Sequence, residues 1–582
     1  MRVDRQGNRQ ETVGAVQALC ARLLAFALTG ALAGATPVAL RAQLVHGTVS
    51  SAVAAGRVPG AVVLLLDSSL TTRARALTSD SGTFTIGAGA PGRFHLKVMR
   101  IGFRPTESHA FDLRVDTTVA LALTDIPVIL PAVTTRDRSD CRLRPDTTEA
   151  AVLTFTLWEQ ARTALLAAAI TLEQRDYRFA KLQHWRVYDV RQHALRDMAL
   201  RESESHGAAP WISLPAEQLR HDGYVAVDDS GMTFRAPDLD VLLSPYFTEE
   251  HCSRLTSRSA PDSGLVGLDF EPAARPRHVE IRGTLWLDVA SKELRHVSFT
   301  FVNLPVAVPP PDTLFGGYVE FTKLATGAWV LPSWRIRMPI PIRRTILHTF
   351  SPGYGPRSVS SLGPWRLTAD WVRVEGGDLR TVRRGDAGDS VLWRRATGSI
   401  RILALRGDSG QAPAAGVIVR LAGSSYGGHT DIGGIVRFEQ AIPGTYLFDA
   451  TTPLHEAIEA TTIRTAVTVR AGELAEATVT LKPLAQAAAD VCGERELDPH
   501  TGVVTGRVAL GDEPVFKAKV KLEWVGGDAE ADTRNDGYFR FCGVPREKLV
   551  LVRASRDTLM ATTTLTLAPN EIVRSLDLRL QR

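Results

Sequence analysis

Thr78-Ser79-Asp80-Ser81-Gly82-Thr83-Phe84-Thr85-Ile86 decides how this chain reads, because the stretch returns twice. It comes back as Thr430-Asp431-Ile432-Gly433-Gly434-Ile435-Val436-Arg437-Phe438, and again as Thr533-Arg534-Asn535-Asp536-Gly537-Tyr538-Phe539-Arg540-Phe541. In each copy a Thr opens a polar turn, a Gly follows four positions later, and apolar residues stand two and four positions beyond that Gly. Asp, Asn and Gly supply a tight turn, and the alternation after it aims one face of a strand into a core, so each copy predicts a hairpin. A second landmark follows each turn: Pro91-Gly92, Pro443-Gly444 and Val544-Pro545, then the apolar strands begun by Phe94, Tyr446 and Leu549. Three copies in near register make an internal repeat of small β-modules.

At 582 residues the chain is too long for one core, and roughly three to five domains are expected. A hydrophobic content of 44% and a charged content of 23% are ordinary for globular protein. The net charge of +5 is a mild excess that reads as a solvated basic surface, not a polyanion or nucleic-acid site.

Residues 1–42 read as a signal peptide. Arg2, Arg5, Arg9 and Arg22 form a basic start, and Leu23 to Ala35 an apolar run too short for a comfortable membrane span. Cleavage after Leu40-Arg41-Ala42 is preferred over Ala33-Gly34-Ala35, and a lipid anchor at Cys20 is the weaker alternative. No later segment approaches a continuous apolar helix span. The exported chain then keeps Cys141, Cys252, Cys492 and Cys542, an even set that favours disulfides over metal ligands. Of the three connectivities, the domain boundaries favour Cys141–Cys252 and Cys492–Cys542.

The expected order is a β-sandwich at 43–125, a linker at 126–140, a helix-plus-sheet domain at 141–384, and a linker at 385–397. Further sandwiches follow at 398–483 and 501–582, separated by an Ala-rich acidic linker at 484–500. In the middle domain Leu157, Ala161, Leu165, Ala168 and Leu172 fall at helical spacing, with Trp158, Ala164 and Ala169 broadening the face. From Tyr177 onward the pattern turns to strands, with a hairpin around Ser291-Lys292, a loop at Pro309-Pro310-Pro311 and a tight turn at Gly376-Gly377. The fold class is therefore mainly β: three sandwiches plus a central antiparallel sheet packed with one long helix.

The first module carries a more specific signal. Its Gly47-Thr48-Val49, Pro59-Gly60-Ala61-Val62-Val63-Leu64, Thr78 to Phe84, and Val98-Met99-Arg100-Ile101-Gly102-Phe103 resemble the carboxypeptidase regulatory-like domain. That resemblance implies a seven-stranded transthyretin-like sandwich, grouped with carbohydrate-binding-like folds. With Ile101-Gly102-Phe103 and then Leu130-Pro131-Ala132-Val133-Thr134-Thr135, the module looks like the one preceding the plug of TonB-dependent receptors. The second module has Ala414-Ala415-Gly416, and the third Val515-Phe516-Lys517-Ala518, where Pro-Gly-Ala is usual. In the middle domain, Gly283-Thr284-Leu285-Trp286-Leu287-Asp288, the Gly316-Gly317 strand and Trp329-Val330-Leu331-Pro332-Ser333-Trp334 look like the periplasmic lipoprotein-carrier fold.

Chemistry is harder to find. A zinc peptidase needs an H-x-x-E pair and a distant His around an open site, and no His in this chain begins that motif. His278-Val279-Glu280 has the wrong spacing and reads as exposed strand polar residues. Gly407-Asp408-Ser409-Gly410 reads as a turn, and no phosphate loop occurs. Asp80, Asp431 and Asp536 sit at different offsets from the repeated Gly, which suits turns better than Ca²⁺. Arg380, Arg383, Arg384, Arg394 and Arg395 read as a solvated linker face. No catalytic residue, cofactor or metal is therefore expected. Trp286, Trp329 and Trp334 are the candidate ligand surface, with core packing as the plainer reading. The whole reads as an exported, non-catalytic envelope protein that binds or scaffolds through protein or carbohydrate contacts. Its rival is a periplasmic carrier of a lipid or acyl ligand in the middle domain. Whether the middle sheet is filled by its own helix decides between them.

Overall fold

The computed structural model describes residues 43–126, 149–256, 264–305, 315–350 and 359–581, apart from a few positions in short loops. The expected signal peptide at 1–42, nearly all of the linker at 126–140, Cys141 and the Pro309-Pro310-Pro311 loop lie outside the described residues. The fold is mainly β, with three sandwich modules and a central antiparallel sheet against one long helix.

In the first module, Leu44–Ser51 pairs antiparallel with Thr83–Gly87 and parallel with Thr117–Leu123. Val62–Asp67 pairs antiparallel with Thr72–Leu77 on one side and Gly92–Met99 on the other, making the facing sheet. The second and third modules repeat the arrangement around Gly398–Arg406 and Thr501–Leu510.

The repeated Thr does more than open a turn. Thr78 Oγ1 accepts from the Ala61 amide at 2.8 Å and donates to the Val58 carbonyl at 2.7 Å. Thr430 does the same between Val417 (2.9 Å) and Ala414 (2.6 Å), and Thr533 between Ala518 (2.9 Å) and Val515 (2.6 Å). All three are buried, so a hydroxyl that both donates and accepts is needed to pair two backbone groups away from water. The Gly four positions on takes φ of 70°, 72° and 74° in the three copies, the left-handed region where only Gly is free of Cβ strain.

Val62–Asp67 explains its unbroken V-V-L-L-L by being buried on both faces. Val63 and Leu65 enter the sandwich core with Phe84 and Leu96. Val62, Leu64 and Leu66 turn the other way and pack into the cluster around the long helix Glu149–Glu173. That helix places Leu157, Trp158, Ala161, Leu165 and Ala168 in the same cluster as Leu268, Phe270, Leu285, Phe299, Ile336 and Met338 of the middle sheet. It is therefore enclosed between two sheets. Its many Ala residues let both come close.

Among the described residues the middle sheet has ten strands. From Val359–Arg384 the antiparallel pairing runs through Ser333–Phe350, Gly316–Glu320, Leu294–Val302, Glu280–Asp288 and Leu265–Pro272 to His251–Leu255. Three expectations need correction. Gly376-Gly377 is not a turn but the middle of strand Val359–Arg384, opposite Arg335 and Trp334. A Cβ at Gly377 would meet Trp334 Nε1 at 2.5 Å, and one at Gly376 would meet His184 Cε1 at 2.4 Å, so the glycines make room for two rings. The linker at 385–397 contains Val391–Arg394, which extends the sheet by pairing with Thr381–Arg383. The linker at 484–500 begins with helix Leu484–Cys492, whose Ala487, Ala488 and Ala489 bury against Ile458, Val503 and Val573.

The chain divides into two compact units: Met1–His193 with Glu202–Arg394, and Ala194–Arg201 with Arg395–Arg582. Within the second unit, Met198 is fully buried in the core of the second module, and the Leu447 amide points at its sulfur at 3.1 Å. The second and third modules join through Ala457 and Ile458, whose carbonyls accept from Tyr538, Thr505 and Arg540 at 3.0 Å.

Candidate functional site

The three candidate tryptophans do not share a surface. Trp329 is 1% exposed, held in the core with its backbone amide donating to Thr171 Oγ1 at 3.2 Å. Trp334 is 6% exposed, lies over Gly377, and meets Trp211 with ring centroids 5.1 Å apart. Trp286 alternates with the buried Leu285 and Leu287, so the pleat turns it to the opposite face of the sheet. There it stacks on His296 at 5.9 Å, His296 meets Tyr318 at 5.0 Å, and Arg335 caps Tyr318 at 5.2 Å. The ligand-surface reading is therefore corrected for Trp329, which is core. Spacing along a strand separates the two faces of a sheet but does not say which face a helix will cover.

At the C-terminal end of the long helix lie two apolar cavities. One, of about 300 Å³, is bounded by Leu172, Trp211, Leu239 and Phe321. The other, of about 210 Å³, is bounded by Leu172, Phe179, Leu331 and Trp334, with Lys181 and Asp378 as charged lining. Leu172, Pro210 and Leu331 border both. Burial lowers the Lys181 ammonium below the ordinary lysine range.

A buried polar cluster was not legible in the sequence. Tyr246 donates to Glu280 Oε1 at 2.9 Å, and His251 Nε2 stands 3.8 Å from Glu280 Oε2. The His251 ring stacks on Phe247 at 4.7 Å, with its Nδ1 3.1 Å from the Phe247 carbonyl. Burial pushes the His251 imidazole down to about 4 and the Glu280 carboxyl up, so the imidazole is neutral at pH 7. Glu280 is thus not the exposed strand residue expected beside His278. The cluster lines neither apolar cavity and ties helix Pro245–Glu250 to the sheet.

Among the described residues no group of three or more His, Cys, Asp and Glu side chains is placed to hold a metal. Asp431 Oδ1 accepts from the Gly433 and Ile435 amides at 2.9 Å, and Asp536 Oδ1 from the Tyr538 amide at 3.2 Å. Both cap turns. The arginine run is dispersed: Arg380 pairs with Glu202 and Arg384 with Asp80. Cys492 and Cys542 form a disulfide with Cα atoms 6.0 Å apart, joining the end of helix Leu484–Cys492 to strand Tyr538–Pro545. Cys252 is disulfide-bonded, and its expected partner Cys141 lies outside the described residues. No helix among the described residues is long and apolar enough to cross a membrane.

Residues 45–124 match the family model of the carboxypeptidase regulatory-like domain, which covers the first module. No curated protein matches the chain. Among solved structures, the chain is similar to the Bacillus anthracis TIE protein at 10% identity, over 69% of this chain and 83% of that one, with a TM-score of 0.15. A Streptococcal ancillary pilin shows 14% identity over 38% of this chain and 81% of its own, with a TM-score of 0.16. Shaft pilin SpaA from Lactobacillus rhamnosus GG shows 13% identity over 32% and 97%, with a TM-score of 0.15. Scores this low do not establish a shared overall fold.

Proposed function

We propose that this chain is an exported, non-catalytic envelope protein that acts as a binding or scaffolding module through protein or carbohydrate contacts. The observation that carries the reading is the enclosed helix. Leu157, Leu165 and Ala168 are buried against the middle sheet, and Val62, Leu64 and Ile101 of the first module are in the same cluster. The inner face of the sheet is occupied by the chain itself. Export is supported by the disulfide-bonded cysteines, which belong to oxidising compartments. The regulatory-like match over the first module supports a non-enzymatic role.

A second reading, a carrier of an apolar ligand, draws on the cavities of about 300 and 210 Å³ at the end of the helix. Titration of the exported protein with a fluorescent lipid probe at low micromolar concentration separates the two. Absence of uptake supports the binding module, and saturable uptake supports the carrier.

A further inference from the structure

The first copy of the repeated turn lines a cleft that differs from both apolar cavities. The cleft has a volume of about 650 Å³ and lies between Ser79-Asp80-Ser81 and the start of strand Tyr177–Asp189. Its walls carry hydroxyls, carboxylates, a guanidinium and a phenol. Ser79 Oγ is 2.9 Å from Ser81 Oγ and 2.7 Å from Thr83 Oγ1. Arg384 reaches Asp80 Oδ2 at 3.2 Å across the cleft, and Asp176 stands exposed beside Tyr177. The Tyr177 hydroxyl is fixed 3.2 Å from Thr326 Oγ1, which holds the ring as part of the wall.

The second and third modules make the same turn with Asp431-Ile432-Gly433 and Arg534-Asn535-Asp536, at nearly the same glycine φ. Ser79 Oγ accepts from the Thr83 amide at 3.2 Å, as Asp431 Oδ1 does from the Ile435 amide, so this hydroxyl also serves the turn. Ser81 Oγ meets the hydroxyls of Ser79 and Thr83 and borders the cleft. Two carboxylates against one guanidinium disfavour a phosphate, sulfate or uronate. Adjacent ligand hydroxyls would donate to Asp80 and Asp176 and accept from Arg384. The volume falls in the range of small-ligand sites, roughly 300–1,000 Å³.

We infer that this cleft binds a neutral saccharide of about two sugar units. The inference rests on the binding-module reading and gives it a ligand class. The test is saturation-transfer NMR on the exported protein, with maltose, cellobiose and N,N′-diacetylchitobiose as probes at millimolar concentration. At least one probe binds, and Arg384→Ala and Asp176→Asn each weaken it about tenfold, the loss expected for a charged hydrogen bond. Both side chains are exposed enough that the variants keep the parent unfolding midpoint. Binding that neither variant weakens overturns the cleft while leaving a carbohydrate-binding protein. No binding of any probe also overturns it, and leaves protein contacts as the remaining form of the binding-module reading.

Discussion

Thr533 Oγ1 donates a hydrogen bond of 2.6 Å to the carbonyl of Val515, and the same oxygen accepts from Ala518. Thr533→Val keeps the shape and removes both bonds, leaving a buried carbonyl and a buried amide unpaired. The expected loss is ~1–3 kcal/mol, read by urea unfolding. Thr533→Ser should lose distinctly less. Equal losses in the two variants would show that the packing of the methyl counts as much there as the hydroxyl's two bonds.

Lys517 takes φ of 55° where the first and second modules place Gly60 and Gly416 at 66° and 71°. A side chain in that region costs about 1 kcal/mol, so Lys517→Gly should raise stability by up to about that amount. A fall in the unfolding midpoint would mean that the Lys517 ammonium over the Phe516 ring, at 5.3 Å, outweighs the strain.

Gly377→Ala places a methyl against the Trp334 indole inside a paired strand. Overpacking of this kind costs ~1–3 kcal/mol. The double variant with Trp334→Leu should recover part of the loss. If the single variant is neutral, the strand has room that the geometry denies.

His251 sets an acid limit on the middle domain. Its value of about 4 in the fold lies below the ordinary 6.5, so the stabilisation is complete above pH 6.5 and is lost as the pH falls toward 4. The slope from this one group reaches ~1.4 kcal/mol per pH unit. Glu280, raised by burial, works in the opposite sense and regains stability as it protonates. His251→Phe keeps the stacking on Phe247 and should flatten the profile between pH 6.5 and 4. An unchanged profile would assign the acid sensitivity elsewhere.

The sequence announced what is local and periodic. The repeated turns, the alternation after Gly82, Gly434 and Gly537, and the apolar face of the long helix all follow from short-range chemistry. It was silent where distant segments meet. Gly376-Gly377 reads as a turn until Trp334 and His184 are seen lying over it. Met198 stands in an ordinary polar strand, yet it completes a core more than two hundred residues away in sequence. The Glu280 cluster depends on His251 and Tyr246, whose partnership no spacing reveals. Among the tryptophans, residue type gave an aromatic surface, whereas the pleat and the covering helix assigned Trp286 and Trp329 to different fates.

The middle sheet is closed by its own helix, and native mass spectrometry of the purified protein is the decisive measurement. The bare polypeptide mass is expected, together with a loss of ~2–5 kcal/mol for Leu165→Ala as an ordinary core cavity. A stoichiometric lipid or acyl adduct on the parent protein would contradict it and make the carrier the better description.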